Sequence, residues 1–236
     1  MSITMESCSQ NTKAVAPWWH TSLLVAFFLL LTLAGFIFQH RSGSQETILP
    51  QQRNLAPLYL YLILGQWVLL YYVWKVGLRR TGTKLRDLIG GSWPRVVNVL
   101  RDVVLAIALW TIWLLIQLAW DRVFGSGHAS SISSLLPRRT IELVLWVALS
   151  ISAGICEEAV FRGYLLRQFQ AWTRSFLIAV LLQAVLFGVS HGYQGVAATL
   201  KITVFGCLFG LVAGWRQSLR PGMIAHALTD VLAVVL

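Results

Sequence analysis

The sequence has few charged residues and few cysteines for a chain of 236 residues. Asp, Glu, Lys and Arg together make up 12% of it, about half the share of an average soluble domain. This composition excludes a separate soluble domain. The three cysteines, Cys8, Cys156 and Cys207, are odd in number and scattered, which excludes a disulfide framework. Only 9 residues are acidic, so an acid inside an apolar run indicates a function there.

Apolar runs dominate the remainder, because 57% of all residues are hydrophobic. A membrane-spanning helix needs about 20 such residues, and seven runs approach that length, although the fifth and the seventh are short. We therefore expect an all-α, polytopic integral membrane protein with about seven transmembrane helices. The candidate spans are residues 22–38, 57–74, 102–120, 141–160, 175–190, 197–215 and 222–236.

Basic residues are distributed unevenly among the segments that connect these runs. If the N-terminus is cytoplasmic, about two thirds of the 19 Lys and Arg residues lie on the cytoplasmic side, as the positive-inside rule requires. We expect a multi-pass protein of the cell inner membrane, with the lipid bilayer as its partner and no nucleic acid. The chain divides into a polar tail (1–17), N-terminal transmembrane helices (18–139) with a basic cytoplasmic loop (77–101), and a C-terminal region (140–236).

Two adjacent glutamates, Glu157 and Glu158, interrupt the fourth apolar run. Positions four apart share a helix face, so Glu158 and Arg162 are predicted to form an ion pair. Glu157 has no basic residue three or four positions later, which leaves its carboxylate available to bind a water molecule. The alternative is a structural network in which both glutamates share Arg162.

Two further pairs with the same spacing follow, Phe187 with His191 and His226 with Asp230. The carboxylate of Asp230 is positioned to orient the His226 imidazole or to keep it charged. A straight helix would place His191 ~26 Å beyond Arg174 at 1.5 Å per residue. If all these groups act together, residues 163–190 cannot form one plain span.

Three kinds of chemistry fit this set of residues. Glu157 and His191 could activate a water while His226 and residue 230 stabilise an oxyanion. Glu157, His191 and His226 could instead bind zinc with one open position, although the sequence has no H-E-x-x-H. The same groups would also suit a proton or ion relay in a transporter. Spacing alone does not rank the three.

The pairs resemble the ordered motifs EExxxR, FxxxH and HxxxN/D of the CPBP family, the CAAX proteases and bacteriocin-processing enzymes also called Abi proteins. Residues 140–236 carry the resemblance, so this region would form the CPBP-like catalytic helices. The matching segments are Glu157-Glu158-x-x-x-Arg162, Phe187-x-x-x-His191 and His226-x-x-x-Asp230.

The resemblance implies a glutamate-dependent intramembrane endopeptidase that needs no cofactor, with a zinc-dependent protease as the alternative. The cleavage would be of the CAAX type or would process a sorting or leader peptide. Its partner would be a peptide or protein substrate, in some members lipidated or membrane-anchored. A non-catalytic bacteriocin-immunity or transport protein is the alternative of another class. By motif match, Glu157 and His191 would activate the water, His226 and Asp230 would form the oxyanion hole, and Glu158, Arg162 and Phe187 would support the site. Well-described members have asparagine at position 230, and an ionised aspartate cannot donate to an oxyanion.

Overall fold

The computed structural model describes residues 13–42, 54–91, 93, 95–125 and 135–235 of the chain. These residues form helices and turns and contain no strand, which confirms the all-α polytopic prediction. The helices are α1 (Trp18–Ser42), α2 (Ala56–Tyr72), α3 (Leu85–Ile89), α4 (Val96–Phe124), α5 (Thr140–Glu157), α6 (Leu166–Thr173), α7 (Phe176–Ser190), α8 (Val196–Arg216) and α9 (Arg220–Leu232).

Five helical stretches of the described residues are long and apolar enough to cross a membrane: Trp18–Ile37, Ala56–Thr81, Val96–Phe124, Thr140–Thr173 and Val196–Arg216. The two predicted short spans correspond to α7, with 15 residues, and α9, with 13. A helix of 15 residues extends about 22 Å, less than the ~30 Å of a hydrocarbon core. The number of crossings therefore stays a prediction.

The fourth predicted span, 141–160, was drawn too short. The helix continues through a π-helical segment, Glu158–Leu165, into α6 and ends at Thr173. All eight residues of the π-helical segment are buried, so its extra width per turn is absorbed by packing inside the protein. Short π-helical stretches of this kind occur frequently at functional sites.

Helices α7 and α8 form a tightly packed antiparallel pair. Three glycines on one face of α8 allow this approach, because a Cβ at Gly206 would lie 2.8 Å from the Cα of Ala184. The chain turns between the two helices through a short 3-10 segment, Gly192–Gln194. The turn starts directly after His191, which is the break that the sequence required if the motif residues were to meet.

The basic loop (77–101) is held at the end of α8 through Trp93 and the neighbouring Asp102. The buried carboxylate of Asp102 accepts two hydrogen bonds from Arg216, at 3.0 and 2.8 Å, and one from the Trp93 indole at 2.8 Å. The described part of the N-terminal tail is also held in place, because the Val15 amide donates to Gln168 at 2.9 Å. The described end of the polar tail (1–17) is therefore bound to α6. Residues 1–12 lie outside the described part.

Candidate active site

The site lies where the end of α5 meets α9, with α2 and α7 beside it. Helix α9 packs against α5 and α4, and α2 packs along α5. The close approach of α5 and α9 depends on Gly154, since a Cβ there would lie 2.6 Å from the Met223 carbonyl oxygen. This contact brings Glu157 and Glu158 opposite His226.

Glu158 is fully buried and joins two motifs. Its Oε1 atom lies 3.1 Å from Arg162 Nη1 and 2.9 Å from His226 Nδ1. The predicted ion pair between Glu158 and Arg162 is therefore present. Because the carboxylate accepts, Nδ1 of His226 carries the proton of this hydrogen bond. Gly222 lies against the second carboxylate oxygen, where an added Cβ would come within 3.0 Å.

Arg162 is buried among three aromatic rings. Its guanidinium carbon lies 4.2 Å from the Phe187 ring centroid, 5.5 Å from that of Phe205 and 5.8 Å from that of Phe209. Its nitrogens make no hydrogen bond of good geometry to another described residue. The ion pair with Glu158 and these cation–π contacts are thus what holds the charge in a low-dielectric interior.

Glu157 is the more exposed of the two glutamates, with 23% of its side chain accessible. Its Oε1 accepts a hydrogen bond of 3.2 Å from Gln66 Nε2 on α2, and its Oε2 lies 3.8 Å from His226 Nε2. Among the described residues, the ion pair of Arg162 is with Glu158, and none joins it to Glu157. Asp230 Oδ2 lies 3.7 Å from the same His226 nitrogen. His226 Nε2 therefore faces a gap between two carboxylates that is too wide for a direct hydrogen bond.

His191 is held at the end of α7 in one ring orientation. Its Nδ1 donates to the Phe187 carbonyl oxygen at 2.8 Å, which leaves Nε2 as the acceptor of a neutral imidazole. Ser190 Oγ also lies 3.3 Å from Nδ1, the nitrogen already engaged. The ring centroid of Phe187 lies 4.8 Å from that of His191 and 6.1 Å from that of His226. The structure shows no hydrogen bond between His191 and Glu157 among the described residues.

The alternative zinc ligands do not converge. Within the described ranges, no three His, Cys, Asp or Glu side chains are arranged to hold a metal ion. Glu157 and His226 face each other, but His191 directs one nitrogen to its own helix and is separated from His226 by the Phe187 ring. The ligand set Glu157, His191 and His226 therefore does not fit a zinc site in this arrangement.

The comparisons with known proteins agree with the motif analysis. Residues 138–232 match the family model described as type II CAAX prenyl endopeptidase Rce1-like. The predicted resemblance to the CAAX protease family is confirmed. The match covers every motif residue from Glu157 to Asp230 and leaves α1 to α4 unmatched. No curated protein and no solved structure matches the chain.

One polar residue of the site was missed by the sequence analysis. Gln66 lies in the second apolar run, outside the matched region, yet its amide contacts Glu157. A signal was available, because an amide inside an apolar span must find a polar partner in the protein. Nothing in the sequence, however, could identify that partner across 91 residues.

Proposed function

We propose that this multi-pass membrane protein is a CAAX-type endopeptidase, in which Glu157 is the general base that activates the attacking water. The observation that carries this proposal is the contrast between two adjacent glutamates. Glu158 is enclosed and paired with Arg162 and His226, whereas Glu157 is partly accessible and directs Oε2 into the gap facing His226. The Rce1-like match supports hydrolysis of a peptide bond near the carboxyl end of a prenylated protein.

In the proposed reaction, Glu157 takes a proton from water as the water oxygen attacks the peptide carbonyl carbon. The carbonyl oxygen becomes an oxyanion, and His226 Nε2–H donates to it while Nδ1–H stays bound to Glu158. The C–N bond then breaks, and the proton held by Glu157 passes to the leaving amine. His191 assists through Nε2, its available acceptor, by accepting a hydrogen bond from the second O–H of the water, which orients the attacking oxygen.

Asp230 has a different role from an asparagine at this position. Its carboxylate lies near His226 Nε2 and cannot donate to an oxyanion while ionised. We assign it to orienting the imidazole. The Trp146 indole fixes this part of α9 by donating to the main-chain oxygen of Asp230 at 2.9 Å.

The orientation of the chain follows from the charges. We place the N-terminus and the basic loop (77–101) in the cytoplasm, and the protein in the cell inner membrane. With this topology, about two thirds of the 19 Lys and Arg residues lie on the cytoplasmic side, as the positive-inside rule favours.

The test is cleavage by purified protein in detergent, with prenylated CAAX peptides and an unprenylated library, read by mass spectrometry. Wild type, Glu157→Gln, Glu142→Gln and wild type with a zinc chelator are compared. Glu142 is a suitable control because it is a buried glutamate of the same helix whose carboxylate accepts N–H groups from Leu55 and Arg138 at the start of α5. We expect products from all samples except Glu157→Gln.

Each other result contradicts a defined part of the proposal. Products from Glu157→Gln at the wild-type rate would remove Glu157 from catalysis. Loss of products with chelator would replace the general-base mechanism by a metal-dependent one. No products from any sample, with folded protein, would favour a non-catalytic immunity or transport role, which a bacteriocin-protection or ion-flux assay would then measure.

A further inference from the structure

Gln66 is a polar side chain in the middle of an apolar helix. It lies on α2, in the part of the chain that the family model does not match, and no family motif includes it. Its amide nitrogen donates to Glu157 Oε1 at 3.2 Å. The reverse orientation of the amide would place oxygen against a carboxylate oxygen, so the nitrogen is the atom that faces Glu157.

The hydrogen bond from Gln66 gives the two carboxylate oxygens of Glu157 different surroundings. Oε1 is occupied by Gln66, and Oε2 faces His226 Nε2 across the 3.8 Å gap. Without a donor at Oε1, the carboxylate could rotate about its last bond and no single oxygen would face the gap. A donor fixed on a second helix removes that freedom, which is the general requirement for a catalytic base with defined geometry.

Stability alone does not account for an amide at this place. The amide oxygen of Gln66 is buried and has no hydrogen-bond partner among the described residues. A buried acceptor without a donor lowers stability, whereas an apolar side chain of the same shape avoids that cost. A methionine would fill the position with a chain of similar length.

We infer that Gln66 is a positioning residue that sets the orientation of the Glu157 carboxylate toward His226. The inference rests on the proposed role of Glu157 as the base. It assigns to α2, and so to the unmatched half of the chain, a direct part in the geometry of the active site.

The experiment compares kcat, KM and thermal stability of wild type, Gln66→Met and Gln117→Met in detergent. Gln117 is a half-buried glutamine of α4 whose side chain makes no hydrogen bond to another described residue, so it controls for loss of an amide from a span. We expect kcat of Gln66→Met to fall about 10- to 100-fold, as misplacement of a reacting group by about 1 Å does. KM and the melting temperature should stay near wild type, and Gln117→Met should be active.

The isosteric variant Gln66→Glu supplies a second readout. A carboxyl at position 66 donates to Glu157 only while it is protonated, so its kcat relative to wild type should rise as the pH falls. The other charged or titratable groups that interact with Glu157, namely Cys156, Glu158, Arg162, Tyr193, His226 and Asp230, are the same in both proteins. An ionised carboxyl at position 66 also repels Glu157, so the deciding comparison is made at low pH with Gln66→Met, which has neither a donor nor a charge. A positioning role predicts a higher kcat for protonated Gln66→Glu than for Gln66→Met, whereas a role in packing alone predicts equal values.

The outcomes separate this inference from the proposed function. If wild type cleaves, Glu157→Gln does not, and Gln66→Met cleaves at the wild-type rate, the inference is overturned and the proposed function stands. If Gln66→Met loses kcat only together with melting temperature, while protonated Gln66→Glu has the same kcat as Gln66→Met at low pH, Gln66 is structural. If Glu157→Gln is fully active, the proposed function itself fails.

Discussion

Replacing Gly154 by alanine should separate the two helices that carry the proposed catalytic groups. The new Cβ would lie 2.6 Å from the Met223 carbonyl oxygen and 3.0 Å from the Ala227 amide nitrogen, whereas ordinary contact begins at 3.4 Å. Helix α9 must therefore retreat from α5 by about 0.8 Å, the difference between 3.4 and 2.6 Å. Backbone atoms of a packed helix cannot yield locally in the way that a flexible side chain can.

This displacement acts directly on the distance between Glu157 and His226. A shift of about 1 Å between reacting groups can cost about 100-fold in rate, and forcing an extra methyl group into a packed interface costs about 1–3 kcal/mol in stability. We therefore expect Gly154→Ala to remain folded, with kcat reduced about 10- to 100-fold. Single-turnover cleavage and thermal unfolding in detergent measure the two effects.

The matched control is Gly65→Ala in α2, where an added Cβ meets no atom within 4 Å. It has the same change in helix propensity without the steric contact, and should keep wild-type kcat and gain slightly in stability. If Gly154→Ala had the same kcat and melting temperature as Gly65→Ala, the reasoning would be refuted. The contact between α5 and α9 would then accept a methyl group without moving the two helices apart.

Three further predictions test other parts of the structure. Arg162→Met should destabilise the protein by about 3–5 kcal/mol, because it leaves Glu158 buried without its cation, and adding Glu158→Gln should recover part of that loss in denaturant unfolding. Asp102→Ala should remove the hydrogen bonds from Arg216 and Trp93. The basic loop should then be held less firmly, and trypsin should cleave it faster. Unchanged proteolysis would contradict the role of this contact. Asp230→Asn should retain activity, because the amide has the size of the carboxylate and keeps a polar oxygen beside His226 Nε2, whereas Asp230→Ala should lose about 10- to 100-fold in kcat.

The local features of the fold could be predicted from the sequence because they repeat at short range. Apolar runs identified the five long helices, and the spacing of four identified the Glu158–Arg162 ion pair. The same spacing places Gly206, Gly210 and Gly214 on the face of α8 that packs against α7. These contacts join residues within one helix or follow from its surface, so the helical period is sufficient to find them.

The parts that were missed depend on contacts between distant segments. The π-helical segment Glu158–Leu165 has no sequence signature, and it moved the end of the fourth span to Thr173. Asp102 and Arg216 are 114 residues apart, and no short-range pattern links them. The contact of Gln66 with Glu157 also joins distant segments. An amide in an apolar run indicates that a polar partner exists, but not which residue it is.

Burial, more than chemical identity, distinguishes the two adjacent glutamates. Both are carboxylates on consecutive residues, but the change from α5 to the π-helical segment falls between them. Glu158 turns into the interior, where Arg162, His226 and the bare backbone of Gly222 enclose it. Glu157 remains at the partly open edge of the site, where its Oε1 accepts a hydrogen bond from Gln66 and its Oε2 faces His226. A pair of glutamates can thus supply both the charge that anchors the imidazole and the base that faces it, because the helix geometry changes between the two residues.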